Sequence, residues 1–290
     1  MEKQTTKIMN NEIKSMTERI LHGHIYIKKN NVGIFKAKSF EESLLVNHGF
    51  AGRNGGVSPA PYDSLNFSLS RPDNMENVRR NFHILSETAD FDVRSIVIVN
   101  YEHGNNVCRV DKRDCGSAPN TKKCLPRCDG IITNDKDVTL LTLHADCGAL
   151  FFLDKEHGAI GLAHAGWKGT FLRIASRVVE AMKNEFSTKA EDLLVALGPC
   201  VCGNCYEIDN DLADKFISEF GTDAVIRRKN GLKPTLDISL ATIIQLCETG
   251  VKSENITVFD ACTFEMEDKF FSYRRDKGQT GAMAAYMKLV

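Results

Sequence analysis

Long apolar runs are missing from this 290-residue chain. None approaches the ~20 consecutive apolar residues that a membrane-spanning helix needs. The opening segment, MEKQTTKIMNNEIKSMTERI, also lacks the apolar centre of a secretory signal. An excess of one charge is absent too. The formal net charge is −1, so no global field favours nucleic acid or an anionic membrane. Prolines number only 7, and no Pro/Ser-rich linker or shift in composition marks a domain boundary. The motifs G-x-x-x-x-G-K-[ST], strand–G-x-G-x-x-G–helix and G-x-S-x-G do not occur. That removes P-loop, dinucleotide-binding and serine-hydrolase readings. These absences predict a cytoplasmic protein with neither a membrane nor a nucleic-acid partner.

Hydrophobic residues make up 42% of the chain and charged residues 26%, enough for a sizeable core. At about 100–200 residues per domain the length allows one large domain or two small ones. With no boundary visible, the reading is a polar N-terminal extension over 1–20 and a single catalytic domain over 21–290.

Strand and helix signals alternate through that domain. HIYIKKNNVGIFKAKSF predicts a hairpin turning at Asn30-Asn31. Val78, Phe82, Leu85 and Ala89 share one face of a helix over 76–89. Apolar or β-branched runs at 95–99, 138–143, 149–153, 159–163, 193–197 and 256–259 read as strands, with 149–153 and 159–163 forming a hairpin. Phe171, Ile174, Ala175, Val178, Met182 and Phe186 fit a helix running from Thr170, the expected N-cap, to Phe186. Further helices are expected near 210–220 and 239–249. Hairpins beside crossover-length helices predict an α/β fold with a mixed sheet.

Three apolar runs lead into metal-competent side chains. Glu102-His103-Gly104 follows the run ending at Val99, and His144-Ala145-Asp146-Cys147 follows Leu143. His164-Ala165-Gly166-Trp167-Lys168-Gly169 follows Ala163. Strand ends can converge on one edge of a sheet, where binding groups concentrate. Two imidazoles and one thiolate would satisfy a catalytic zinc, which takes three protein ligands and keeps a position for water or substrate. A competing reading keeps the same side chains as core or capping groups. Another makes Cys147 a nucleophile with His103 or His164 as its base, the pattern of a cysteine hydrolase.

Ten cysteines are many. In a chain of this size in a reducing compartment they read as free thiols, metal ligands or catalytic groups rather than bridges. Cys108, Cys115, Cys124 and Cys128 form a ragged group, and Cys200, Cys202 and Cys205 a tighter one. Only Cys202/Cys205 has the C-x2-C spacing of a zinc knuckle. A four-cysteine zinc wants two such pairs, so surface or buried thiols are the plainer reading. Arg53 in Gly52-Arg53-Asn54-Gly55-Gly56, Lys168 between Trp167 and Gly169, and Arg274-Arg275 after Phe270-Phe271-Ser272-Tyr273 can meet a phosphate or carboxylate. Each alone also reads as an ordinary solvated charge.

Several segments occur in a characteristic order: HGFAGRNGGVSPAPYDSLN (48–66), EHG (102–104), DGIITN (129–134), LTLHADCGALFFLD (141–154), GLAHAGWKGT (161–170), GPCVCGNCYEID (198–209) and FFSYRRDKGQTG (270–281). Together they resemble the YfiH/YlmD family, also called the multicopper polyphenol oxidase or laccase-domain family. The resemblance runs from about 48 to 290 and implies a single α/β domain of mixed sheets with flanking helices. It implies metal ligands at His103, Cys147 and His164, with Zn2+ as the metal and copper as the alternative. It also departs from the family pattern. Tyr101 stands where the family usually has Gln, Gly148-Ala149 where a bulky residue and Pro follow ADC, Lys168 where Arg is common, and Ala282 where TGR ends in Arg. Ser64-Leu65-Asn66-Phe67-Ser68 replaces an SLN-aliphatic-G element. Lys lacks the bidentate fork of Arg, so these changes bear on substrate choice and phosphate affinity more than on metal binding.

The activity implied by the resemblance is that of a purine nucleoside enzyme. It would phosphorolyse adenosine-, inosine- and guanosine-type nucleosides and methylthioadenosine, and deaminate adenosine, so its partners would be purine nucleosides and phosphate. Asp129 and Glu207 are the acidic candidates for moving protons beside Cys147. Arg53, Lys168 and Arg274 are the candidates for holding phosphate, and Asn66 for a sugar or base edge. Copper-dependent phenol oxidation and cysteine- or zinc-dependent hydrolysis of amides in peptidoglycan precursors are the alternatives.

Overall fold

Two mixed sheets lie face to face, each carrying helices on its outer side, and this stacking explains why several strands are apolar throughout. The computed structural model describes residues 17–117, 127–228 and 231–290; residues 1–16, most of the expected polar extension, and Cys124 lie outside them. The first sheet has seven strands in the order β1 (Leu21–His22), β14 (Ile256–Val258), β11 (Leu194–Leu197), β9 (Gly148–Asp154), β10 (Ala159–Ala165), β7 (Gly130–Thr133) and β6 (Val107–Arg109). The second has six, in the order β2 (Ile25–Lys29), β3 (Val32–Lys36), β4 (Val46–Ala51), β15 (Met283–Leu289), β8 (Thr139–His144) and β5 (Ile96–Ile98). A short ribbon of β12 (Val225–Ile226) and β13 (Thr235–Leu236) stands apart. Both large sheets mix pairings: β9 and β10 run antiparallel, whereas β6 with β7 and β5 with β8 run parallel.

The helices are α1 (Lys38–Glu41), α2 (Met75–Ala89), α3 (Trp167–Phe171), α4 (Ile174–Phe186), α5 (Asn210–Phe220) and α6 (Ile238–Glu248). Alternation along each central strand divides its side chains between two cores. In β9, Ala149, Phe151 and Leu153 enter the core between the sheets. Leu150 and Phe152 pack instead with Val178 and Met182 of α4 and with Ile243 and Leu246 of α6. In β15, Met283, Ala285, Met287 and Leu289 face the inter-sheet core, while Ala284 and Tyr286 lie under Val78, Phe82 and Leu85 of α2. A strand covered on both faces reads as a continuous apolar run.

Local chemistry sets the element ends. Asn30 and Asn31 take φ of 52° and 64°, the left-handed pair that a two-residue hairpin turn requires. The Asn74 side chain accepts the Glu76 amide and caps α2. The helix expected over 170–186 is two helices, because Arg173 adopts φ 64° between α3 and α4. Its guanidinium is held there by Glu219 and Glu248. Thr170 is therefore buried inside α3 and is not an N-cap. His144 and His164 likewise belong to β8 and β10 and do not follow them.

Candidate metal centre and substrate cleft

Two connections cross from one sheet to the other at the same end of the sandwich. Residues 99–106 join β5 to β6 and carry His103; residues 145–147 join β8 to β9 and carry Cys147. Asp146 turns the second crossing with φ 86°. Its carboxylate is fixed by the Thr263 hydroxyl at 2.6 Å and the Arg274 amide at 2.7 Å. The β9–β10 register sets Ala165 opposite Gly148, which brings Gly166 beside Cys147. A Cβ on Gly166 would stand 3.1 Å from Cys147 Sγ, 3.7 Å from His164 Cε1 and 3.9 Å from His103 Cδ2. The missing side chain thus leaves the space on which the three residues converge. The His103 and His164 rings lie 5.3 Å apart at 86°.

Asp129 organises this convergence from below. It is fully buried and accepts the amide N–H groups of Glu102, His103 and Gly104 at 3.2, 3.1 and 2.7 Å. It also lies 3.2 Å from His164 Nδ1. A carboxylate behind one imidazole nitrogen leaves the other free to bind a metal. Burial pushes the Asp129 carboxyl up, but the hydrogen bonds from His164 and the Gly104 amide outweigh it and hold it below the usual range. For His164 burial acts downward, yet Cys147 and Asp129 prevail and raise it to about 9. His103 is lowered by burial, then by His164 and Lys168. His144, 1% exposed, is pushed well down by burial and stays neutral between Thr142 Oγ1 at 2.8 Å and the Cys147 carbonyl at 3.1 Å. Tyr101 packs its ring 4.7 Å from His164 and accepts the Leu143 amide. Two imidazoles and a thiolate, one imidazole backed by a carboxylate, are a donor set that suits zinc.

These residues floor a cleft of about 1010 Å³. Trp167, Tyr206 and Tyr273 supply flat walls, and Ser68, Ser70 and Asn100 supply hydrogen-bonding groups. Arg71, Arg274 and Lys277 add positive charge. The Arg274 guanidinium lies 4.9 Å from the Tyr206 ring and that of Arg71 5.2 Å from Tyr273. Burial, reinforced by Cys147, pushes the Tyr206 phenol up to about 12.

Of the residues singled out in the sequence, His103, Cys147, His164 and Arg274 line the cleft. Arg53 is engaged elsewhere: it donates to the Asp63 and Glu267 carbonyls and to the Asp63 carboxylate, and lies 4.6 Å from the Phe271 ring. Asn66 is buried, donating to Asp73 and accepting the amides of Ser68 and Ala282. Lys168 is exposed on the first turn of α3. Exposed Glu207 accepts from Arg228 at 3.1 Å. Tyr206 sat unremarked inside a quoted segment, Tyr273 was named only as a neighbour of Arg274, and Arg71 in SLSRPDN carried no signal of its role.

The chain belongs to the family whose model is described as multi-copper polyphenol oxidoreductase laccase, which matches residues 47–290. Purine nucleoside phosphorylase YlmD of Bacillus subtilis (strain 168) is 34% identical over 253 residues, spanning 87% of this chain and 91% of that protein. The crystal structure of YlmD from Geobacillus stearothermophilus matches with a TM-score of 0.85 at 30% identity, over 92% of this chain and 99% of that one. That of the hypothetical protein YfiH from Bacillus licheniformis matches with 0.84 at 27% identity, over 91% and 99%. No helix among the described residues is long and apolar enough to cross a membrane.

Proposed function

We propose that this chain is a zinc-dependent purine nucleoside phosphorylase that also deaminates adenosine. The observation that carries the reading is the convergence of His103, Cys147 and His164 on the floor of a cleft walled by aromatic rings and cations. Its relatives are named purine nucleoside phosphorylases, which supports the same reading. His103, Cys147 and His164 would hold the zinc, which when bound supplies Lewis acidity and access to hydroxide at neutral pH. In phosphorolysis, phosphate attacks C1′, the C1′–N9 bond breaks, and the purine leaves with the electron pair and takes up a proton. Arg274, Arg71 and Lys277 hold the phosphate, and Tyr206, Tyr273 and Trp167 offer faces to the purine. Adenosine, inosine, guanosine and methylthioadenosine all present that purine and that C1′. In deamination, water replaces the C6 amino group and ammonia leaves.

The remaining residues have supporting parts in this proposal. Asp129, shared among four donors, acts by aiming His164. Asn66 sets the backbone of Ser68 and Ala282, which line the cleft. Arg53 fixes the neighbouring loop, and Lys168 adds positive field beside His103. Glu207 is exposed, accepts from Arg228 and does not line the cleft, so no proton relay is assigned to it.

A copper oxidase is less well supported. A multicopper set draws on many histidines, and five of the eight are placed elsewhere. His22 meets Asp260, His24 the Phe259 carbonyl, His48 the Ala37 amide and His157 Asp154, while His83 lies exposed on α2. The test supplies adenosine with and without phosphate. Free adenine and ribose 1-phosphate should form only with phosphate, inosine without it, and both should vanish in Cys147→Ala and on metal removal. Full turnover by Cys147→Ala would overturn the ligand set. Nucleoside turnover that survives chelation but needs Cys147 would favour Cys147 acting as a nucleophile rather than a metal ligand.

A further inference from the structure

We propose a second, structural metal site at Cys202, Cys205, Cys262 and Glu265, taking a tetrahedral zinc ion and sharing no ligand with the centre above. The four ligand atoms all lie within 4.8 Å of one another, a tighter grouping than that of His103, Cys147 and His164. Cys205 Sγ stands 3.3 Å and Cys202 Sγ 3.9 Å from the same Glu265 oxygen. Zinc bonds of about 2.3 Å to sulfur and 2.0–2.2 Å to oxygen set tetrahedral ligand atoms about 3.5–3.8 Å apart. No pair of ligand atoms therefore has to close by more than about 1.3 Å.

The sequence carries half of the pattern and the fold supplies the rest. Cys202-x2-Cys205 is one knuckle, and Cys262-x2-Glu265 repeats its spacing with a carboxylate in the last position. A parallel backbone β-bridge at Cys200 and Cys262, both free thiols, lays the two segments side by side, with the Cys200 amide on the Ala261 carbonyl at 3.3 Å and the Thr263 amide on the Cys200 carbonyl at 3.0 Å. Inside the first knuckle the Cys205 amide donates to the Cys202 carbonyl at 3.0 Å. The Cys202 amide points at Cys262 Sγ at 3.4 Å, a contact that favours thiolate over thiol. Three thiols and a carboxylate gathered within 4.8 Å are a donor set for a closed structural site.

The site would brace the cleft. The first knuckle leads directly into Tyr206. From the second, the Thr263 hydroxyl holds Asp146 and the Thr263 and Phe264 carbonyls hold Arg275, next to Arg274. Zinc there would clamp together the two loops that present Tyr206 and Arg274.

The test loads reduced, full-length protein with zinc, desalts it, counts the metal and maps cysteines by alkylation and mass spectrometry. Two metals per chain are expected in the wild type and one in Cys147→Ala. In that variant Cys202, Cys205 and Cys262 should be shielded until a chelator is added, with Cys108 and Cys247 labelling equally throughout. Cobalt in Cys147→Ala should show the thiolate charge-transfer absorption of a three-sulfur site. Glu265→Gln should weaken zinc binding at least tenfold while leaving shielding intact at high zinc. The proposal falls if Cys147→Ala retains no metal, if zinc leaves the labelling unchanged, or if two of the three cysteines form a disulfide in place of binding zinc. One metal in both wild type and Cys147→Ala, with shielding retained, would uphold this site and instead overturn the ligands assigned to the catalytic centre.

Discussion

Asp129 Oδ1 lies 3.2 Å from His164 Nδ1, while the same carboxylate gathers the amides of residues 102–104. One buried side chain thus aims one proposed ligand and fixes the loop that carries another. Asp129→Asn removes the charge and half of the acceptor capacity. Metal affinity should fall about 10–100-fold, measured by competition with a chromogenic chelator. An unchanged affinity would assign Asp129 to folding alone.

Gly166→Ala tests the convergence directly. The new Cβ would stand 3.1 Å from Cys147 Sγ, tighter than most packed contacts, so the sulfur must give by a few tenths of an ångström. The backbone at Gly166, φ −82° and ψ 172°, suits alanine, so stability should change little. A displacement near 1 Å lowers catalysis by about 100-fold, so a shift of a few tenths should cost a few-fold. The expected result is a several-fold fall in kcat/KM for phosphorolysis with an almost unchanged Tm.

Arg274 and Arg53 should separate cleanly. Arg274→Ala removes a cation from the cleft and should raise the KM for phosphate about tenfold or more, with a small effect on Tm. Arg53→Ala removes three hydrogen bonds and a ring contact outside the cleft. It should lower stability by about 1–3 kcal/mol and leave that KM nearly unchanged. Urea denaturation and initial rates at varied phosphate check both.

His48 makes the fold acid-sensitive. It is fully buried, accepts the Ala37 amide at 2.9 Å, and faces Lys36 and Glu41. Burial first, and Lys36 second, pull it down to about 3 from 6.5. Between those values the unfolded chain binds the extra proton and the folded chain does not. Stability therefore rises with pH through the window and is lost as pH falls from about 6.5 toward 3. On the order of 2 kcal/mol should disappear between about pH 7 and 5. His48→Gln keeps an acceptor for Ala37 without titrating and should flatten that slope in urea melts at the two pH values.

Much of the fold is legible in local sequence. The Asn30-Asn31 turn, the capped α2 and the β9–β10 hairpin follow from short-range chemistry alone. The division into two sheets does not, because a strand such as β9, apolar on both faces, says that it is covered twice but not by what. The break at Arg173 depends on Glu219 and Glu248, distant in sequence. At the site, His103, Cys147 and His164 stood out because each ends or follows an apolar run. Arg53 and Asn66 looked equally available until the fold gave them Asp63, Glu267, Ser68 and Ala282 as partners. Glu265 carried no metal signal until Cys262 was laid beside Cys200.

The two crossings from sheet to sheet have a consequence for assembly. His103 and Cys147 ride on connections whose ends are anchored in different layers, and His164 sits on a strand of only one. A chain with one layer formed and the other still loose holds these side chains at unrelated positions. Competence to capture an ion at this end of the molecule therefore arises late, as the layers dock, and its onset during refolding would time that docking.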